Sequence, residues 1–329
     1  MALVDLRVVL GNLLELEADV LAVKHAQNFH GSDSQVMSRL SAAGVSRDAV
    51  AAVPGEARLF PSNGAVKAKD VLFVGTVPIS EHGYHDVRRF AGDVLAALQP
   101  NPTPVRTLVL TVHGTNCGLD EGEAALALAG GLIDGIQRGR APATLERITI
   151  VERKEGRALR FQHALRQKLK GLEGVTEHQG SFLIARPLAM KTAPSLPDYG
   201  LVGTPQKPHA FVAMPFAPEF EDVFHYGIQA PLNGAGLLCE RVDESVFEGL
   251  IIQRILARIA SAKVVIAELS GANPNVYLEV GYAWASKVPT ILLVRDVNEL
   301  RFDVKAHRCV VYRSIRELEA LLTAELRAL

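Results

Sequence analysis

One segment decides the fold of this chain: residues 266–283, which read IAELSGANPNVYLEVGYA. An apolar run ends there in a small polar loop, and the pair Asn273-Pro274 then starts a helix, since asparagine caps helices well and proline suits the first helical position. In an open α/β sheet, such a junction lies at the carboxyl edge of the strands, where these sheets bind ligands. Glu279 follows within this helix, so the segment predicts a carboxylate at a ligand-binding edge.

The composition bounds the class of protein. A length of 329 residues predicts two domains, and 48% hydrophobic with 22% charged residues predicts globular ones. The net charge of -1 gives no general reason to bind nucleic acid or an anionic membrane. Three scattered cysteines without CxxC spacing predict reduced thiols and no metal site, and the N-terminus lacks the pattern of a signal peptide. We therefore expect a soluble, cytoplasmic protein.

A proline-rich stretch divides the chain. Residues 187–209 contain five prolines and two glycines without an apolar period. This pattern predicts a linker at 187–207 between a domain at 1–186 and a domain at 208–329.

Both domains are predicted to be α/β, because apolar runs alternate with helical patterns. In the first domain the expected strands lie at 4–10, 20–23, 71–74, 107–112 and 147–151, with helices at 87–98 and 121–137. In the second domain the expected strands lie at 209–214, 237–241, 263–267, 290–294 and 309–312, with helices at 219–232, 248–261 and 273–286 and from 314. Five strands with intervening helices in this length predict a flavodoxin-like, doubly wound parallel sheet.

Three segments of the second domain are expected to converge, because each follows a strand of a parallel sheet. These segments are 214–216, 241–244 and 268–275. The candidate ligand contacts are Met214, Pro215, Phe216, Asp243, Glu268, Ser270, Asn273 and Asn275 within them, and Tyr282 in the helix that follows. Spacing along the helix predicts Asn275, Glu279 and Tyr282 on one face, with Val276, Val280 and Ala283 on a neighbouring stripe that faces the core. A plainer interpretation makes Glu279 a solvated helix residue, although its apolar neighbours disfavour that.

Three motifs carry a resemblance to known proteins: FVAMPF at 211–216, IAELSGANPNVYLEVGYAWA at 266–285, and Arg301-Phe302-Asp303. In this order they resemble the bacterial TIR-like and nucleoside 2-deoxyribosyltransferase-like superfamily over about residues 208–312. The resemblance implies that Glu279 acts at an N-glycosidic carbon and that Glu268, where the family usually has Asp, helps to hold the substrate. It also implies that Asn273 and Asn275 bond ribose or phosphate, that Phe216 or Tyr282 stacks on a base, and that the protein self-associates.

The segment VVLGNLLELEADVLAV at 8–23 resembles the opening of macro domains, which implies a three-layer α/β fold for the first domain, and the N-terminal domain of leucine aminopeptidases fits comparably. The run LVLTVHGTNCGLDEGEAALALA at 108–129 resembles the macro-domain phosphate loop. This resemblance implies that Gly114, Thr115, Asn116 and Gly118 form a ligand loop. The Asn-rich ADP-ribose segment of macro domains is replaced here by Lys24-His25-Ala26-Gln27. A scaffold that binds nothing or mediates assembly is therefore an equal alternative to a nucleotide sensor.

Three functions follow from these resemblances. The first is a TIR-like NAD+ glycohydrolase, which takes NAD+ as substrate without a further cofactor and serves as a regulated effector in bacterial antiphage defence. The second is a nucleoside or nucleotide N-glycosidase or 2-deoxyribosyltransferase. The third is a non-catalytic module that binds NAD+ or an ADP-ribose-like nucleotide, for which Glu279 has no evident use.

Overall fold

The computed structural model describes the chain except residues 1–2, 30, 80, 116, 188–207 and 243–250. The chain forms two compact units: Met1–Thr115 with Glu121–Thr204, and Asn116–Asp120 with Pro205–Leu329. Nearly all of the proposed linker at 187–207 lies outside the described residues, so its limits remain a prediction. No helix in the described part of the chain is long and apolar enough to cross a membrane.

Over its described residues, the first unit contains an eight-stranded mixed sheet with the order β3-β4-β2-β5-β6-β1-β8-β7. The strands are β1 (Leu3–Leu10), β2 (Val20–His25), β3 (Ala57–Pro61), β4 (Asp70–Gly75), β5 (Thr107–Leu110), β6 (Arg147–Glu152), β7 (Val175–His178) and β8 (Ser181–Ala185). The helices are α1 (Ser32–Ala42), α2 (Arg47–Val50), α3 (Tyr84–Leu98), α4 (Glu121–Gln137) and α5 (Glu155–Leu169). The strands from β4 through β2, β5 and β6 to β1 are parallel, and β3, β8 and β7 add antiparallel pairs at the two sides.

The second unit contains a sheet of parallel strands, five within the described residues, with the order β10-β9-β11-β12-β13. The strands are β9 (His209–Ala213), β10 (Leu238–Glu240), β11 (Val264–Glu268), β12 (Thr290–Val294) and β13 (Cys309–Val311). The helices are α6 (Ala230–Gly234), α7 (Ile251–Ala260), α8 (Pro274–Ala285) and α9 (Ile315–Ala328). In order of occurrence this is 2-1-3-4-5, the flavodoxin-like order, so the predicted fold class is confirmed.

Alternate residues of the central strands enter two different cores. Val212 and Ile266 belong to the cluster under α9, whereas Phe211 and Val265 belong to the cluster under α8. A parallel sheet covered on both faces requires such continuously apolar strands. Because the strand order reverses between β9 and β11, the carboxyl ends of these two strands mark the expected ligand crevice of the unit.

One predicted helix has a different geometry. The single α-helix expected at 219–232 is instead a 3₁₀ turn (Pro218–Phe220), a π-helical segment (Val223–Gln229) and α6. Pro231 has no N–H to bond the carbonyl four residues earlier, and its ring excludes that carbonyl from an α-helical turn. Pro231 lies in the first turn of α6, directly after the π-helical segment, and leaves the Gly227 carbonyl without its α-helical donor.

Candidate functional site

Glu279 lies on the buried face of α8. Only 9% of the Glu279 surface is exposed, and Glu279 shares this face with Val276, Val280 and Ala283. The prediction that Glu279 lies on a different helix face from Val276, Val280 and Ala283 is therefore wrong. Residues that are three, four or seven positions apart share one face of a helix, and Glu279 is three residues after Val276 and four before Ala283. The burial also excludes the alternative in which Glu279 is a solvated surface residue.

The start of α8 is fixed by a tight turn and a cap. Gly271 and Ala272 have positive φ values of 77° and 48°, and for Ala272 this conformation costs about 1 kcal/mol or more. The Asn273 side chain then accepts a hydrogen bond of 2.9 Å from the backbone N–H of Asn275. Asn273 is thus a helix cap, as its position predicts, and Asn275 is exposed at the first turn.

Glu268 ends β11 and is completely buried. One carboxylate oxygen accepts from the backbone N–H of Ser270 at 3.0 Å, and the other accepts from the hydroxyl of Tyr312 at 2.8 Å. Burial raises the pKa of Glu268, and the hydrogen bonds from Ser270 and Tyr312 oppose that rise. In this arrangement the carboxylate of Glu268 holds the loop after β11, and its predicted contact with a substrate remains a prediction.

Arg295 links the ends of three strands. Its backbone N–H donates to the Ser270 hydroxyl at 2.9 Å, and its Nε donates to the Tyr312 hydroxyl at 3.2 Å. Ser270 follows β11, Arg295 follows β12 and Tyr312 follows β13. We call Glu268, Ser270, Arg295 and Tyr312 the edge network. It fixes the loop from which α8 begins.

Tyr312→Phe is expected to destabilise the second unit by about 1–3 kcal/mol, because it leaves an oxygen of buried Glu268 without its donor. The pKa of Glu268 is raised in the folded protein, so between the usual carboxyl pKa and this raised value the folded state binds more protons than the unfolded chain. The contribution of Glu268 to the free energy of unfolding therefore falls as the pH rises through this range. The Tyr312 hydroxyl lowers the pKa of Glu268, so losing this hydroxyl extends the pH range further upward. The variant should therefore lose more stability near pH 8 than near pH 4, because pH 4 lies below the usual glutamate pKa and pH 8 lies well above it.

Urea unfolding followed by the fluorescence of Trp284, the single tryptophan of the chain, measures this effect in the second unit. The matched control is Tyr226→Phe, because Tyr226 is 60% exposed. Equal losses for the two variants would contradict the role assigned to Tyr312.

An aromatic and cationic group lies beside the ends of β9 and β10. The guanidinium of Arg241 stacks over the rings of Phe216 and Phe224, at 4.4 and 3.9 Å from their centroids. Its Nη1 is 3.6 Å from the sulfur of Met214, which is buried, whereas Phe216 is 40% exposed. A planar cation held against aromatic rings suits an anionic or planar ligand.

The sheet brings together most of the predicted residues. Because β9 and β11 pair in parallel, Met214, Pro215 and Phe216 lie at the same edge as Glu268, Ser270 and Asn273. Tyr282 is partly buried against the core under α8. Asp243 lies outside the described residues. The predicted set did not include Arg241, Arg295 and Tyr312, although each directly follows a strand and that position was the available signal.

The proposed ligand loop of the first domain is divided. Gly114 is buried with a φ of 89° and Thr115 is partly buried, and both belong to the first unit. Gly118 is buried with a φ of 100° and belongs to the segment grouped with the second unit. Asn116 lies outside the described residues. Both glycines occupy left-handed conformations that a side chain would strain.

No family model and no curated protein matches this sequence. Solved structures resemble it in part. A Trypanosoma brucei macrodomain in complex with ADP-ribose is 15% identical with a TM-score of 0.40, covering 49% of this chain and 68% of its own. An Oceanobacillus iheyensis macrodomain with MES bound is 12% identical with a TM-score of 0.38, covering 50% and 92%. A 2-desoxiribosyltransferase from Leishmania mexicana is 16% identical with a TM-score of 0.30, covering 36% and 97%.

These matches are to the two kinds of fold that the sequence motifs indicate, a macro-like domain and a deoxyribosyltransferase-like domain. Identities and TM-scores this low assign neither a ligand nor an activity to the chain.

Proposed function

We propose that the second unit cleaves the N-glycosidic bond of a nucleotide and that its substrate is NAD+. The observation that carries the proposal is the position of Glu279, a buried carboxylate on the helix that starts at the switch point of a doubly wound sheet. Sheets of this kind bind ligands at that edge. The order of motifs along the sequence supports the same chemistry.

In the proposed reaction, the bond between the ribose anomeric carbon and the nicotinamide nitrogen breaks, and its electron pair stays with nicotinamide. Positive charge then develops on the ribose ring. The carboxylate of Glu279 stabilises that charge, as carboxylates do in glycoside hydrolysis. Water adds to the anomeric carbon and releases a proton, which gives ADP-ribose.

Other residues at the edge suit the rest of a dinucleotide. Arg241, which also pairs with Glu221, and Arg295, which also bonds Tyr312, offer guanidinium groups to the diphosphate. The exposed ring of Phe216 offers a stacking surface for a base. Asn273 already caps α8, so any contact that it makes with ribose is additional to that role.

Regulation is part of the proposal. The first unit serves as a nucleotide sensor or as an assembly module, and the protein self-associates to become active. A sensor joined to an effector that consumes NAD+ suits antiphage defence in bacteria. Activity per molecule that stays constant as the protein is diluted to a monomer would contradict the assembly requirement.

A substrate panel separates the proposal from its alternatives. The full chain is incubated with NAD+ and, separately, with deoxynucleosides, and nicotinamide and free bases are measured by liquid chromatography. We expect nicotinamide from NAD+. Base release from deoxynucleosides alone would indicate a nucleoside N-glycosidase or, with a second base present, a 2-deoxyribosyltransferase. Stabilisation against heat by NAD+ or ADP-ribose without any product would indicate a binding module.

A further inference from the structure

A cluster of basic side chains lies at the crevice of the first sheet. The strand order reverses at β2, whose neighbours are β4 and β5, and such a reversal opens a crevice at the carboxyl ends. Lys24 is near the end of β2, and His113 is three residues beyond the end of β5. Both residues are buried, with 6% and 8% of their surface exposed. Lys24 therefore lies on one strand at the crevice, and His113 lies in the loop that follows the neighbouring strand.

A second histidine fixes the ring of His113. Nε2 of His82 lies 2.8 Å from Nδ1 of His113, and His82 is only 1% exposed. The ring of Phe90 meets the His113 ring edge-on at 4.7 Å. With its Nδ1 engaged, His113 retains one polar atom, Nε2. Among the described residues, this buried nitrogen has no hydrogen-bond partner.

Such an atom is unusual, because nearly all buried polar atoms in folded proteins are hydrogen-bonded. Leaving it unpaired costs stability that a ligand would recover. The next residue, Gly114, has a φ of 89°, so the chain turns away from His113 without a side chain at that position.

Lys24 places a positive charge near His113. Lys24 pairs with Asp33 at 2.8 Å, and both side chains are buried. The pKa of His113 lies well below its usual value, mainly because of burial and further because of His82 and Lys24. An anion beside Nε2 would raise the pKa of His113, because a negative charge favours the protonated ring.

We propose that Lys24, His82 and His113 form a binding site for a small oxyanion, in which Nε2–H of His113 donates to an anionic oxygen. The histidine pair takes up one proton from solvent as the anion binds. The chemistry that the site recognises is a sulfate-like or phosphoryl oxygen. Free oxyanions and the diphosphate of a nucleotide both present it. The residues belong to the first unit, and the inference does not depend on the activity proposed for Glu279.

Calorimetric titration of the full chain tests this site. The probes are sulfate and ADP-ribose, neither of which titrates near neutral pH, so any pH dependence comes from the protein. We expect both to bind about tenfold or more tightly near pH 6 than near pH 8, with uptake of about one proton. Proton uptake is measured by repeating the titration in buffers of different ionisation enthalpy.

His113→Gln should weaken binding and abolish the pH dependence, and His82→Gln should reduce both. The matched control is His85→Gln, because His85 is exposed in the same region of the chain. Thermal unfolding of each variant without ligand shows that it is folded. Much tighter binding of ADP-ribose than of sulfate identifies a nucleotide as the source, and equal affinities identify a free oxyanion. Binding that is independent of pH, unchanged in His113→Gln, or absent for both probes would overturn the proposal.

Discussion

Glu279→Gln is expected to lower the rate of nicotinamide release from NAD+ by about 100-fold to 1000-fold. The substitution keeps the size of the side chain and removes the charge that the proposed mechanism needs when the ribose becomes cationic. Ground-state binding depends less on that charge, so the affinity for NAD+ should change much less than the turnover. Kinetics at saturating NAD+ together with a binding titration of the variant measure the two effects separately.

Two controls belong to this experiment. Glu319→Gln removes an equivalent charge from an exposed position of α9 and should leave turnover unchanged. The fluorescence of Trp284, which packs beside the core under α8, shows that Glu279→Gln remains folded. Retention of wild-type turnover by a folded Glu279→Gln variant would remove this residue from the mechanism.

Gly131→Ala is expected to destabilise the first unit by about 1–3 kcal/mol. Gly131 lies on α4 where that helix crosses α3, and a Cβ added there would stand 2.2 Å from the backbone oxygen of Arg88 and 2.8 Å from Cβ of Ala91. Backbone cannot move aside as a flexible side chain can. The two helices must therefore separate, and α4 is buried along nearly its whole length.

Gly92→Ala on α3 is the matched control, because a Cβ at that position meets nothing within 4 Å. It should stabilise the unit by about 0.5–1 kcal/mol, since alanine loses less backbone freedom on folding than glycine. Hydrogen exchange of peptides from residues 121–137 reports on α4 directly. If both substitutions lowered the stability of the unit, or both raised it, the close approach of α3 and α4 would be contradicted.

The sequence predicts most of the buried strands because their apolar runs are continuous, but β8 was not predicted. β12 has the predicted bounds, and α4 does too. The strand expected at 107–112 ends two residues earlier, at Leu110, so that His113 lies in the loop that follows. The alternation of strands and helices was sufficient to predict the α/β class.

Edge strands were missed for a physical reason. β3 shows one face to solvent, and β7 is almost fully exposed, so neither has an apolar run. Both are antiparallel to their neighbours and are defined by partners that local sequence does not reveal. The π-helical segment was not predicted from hydrophobic spacing either, since that spacing does not distinguish a short π-helical stretch from an α-helix.

The residues of the candidate site could be predicted most readily where they lie close together in one segment of the sequence. Glu279, Asn273 and Ser270 lie within ten residues of one another, and the motif that contains them was identified. The edge network joins residues from the ends of three strands, so its existence depends on the strand order. The hydrogen bond from Tyr312 to buried Glu268 could not be predicted from either residue alone.

The amount of nicotinamide that the whole 329-residue chain releases from NAD+, followed over time at a series of protein concentrations, tests the central claim most directly. The account predicts many molecules of nicotinamide per molecule of protein, with activity per molecule rising as the protein associates. No nicotinamide at any concentration, from protein that NAD+ demonstrably stabilises against heat, would show that Glu279 lies in a binding site and not in an active site.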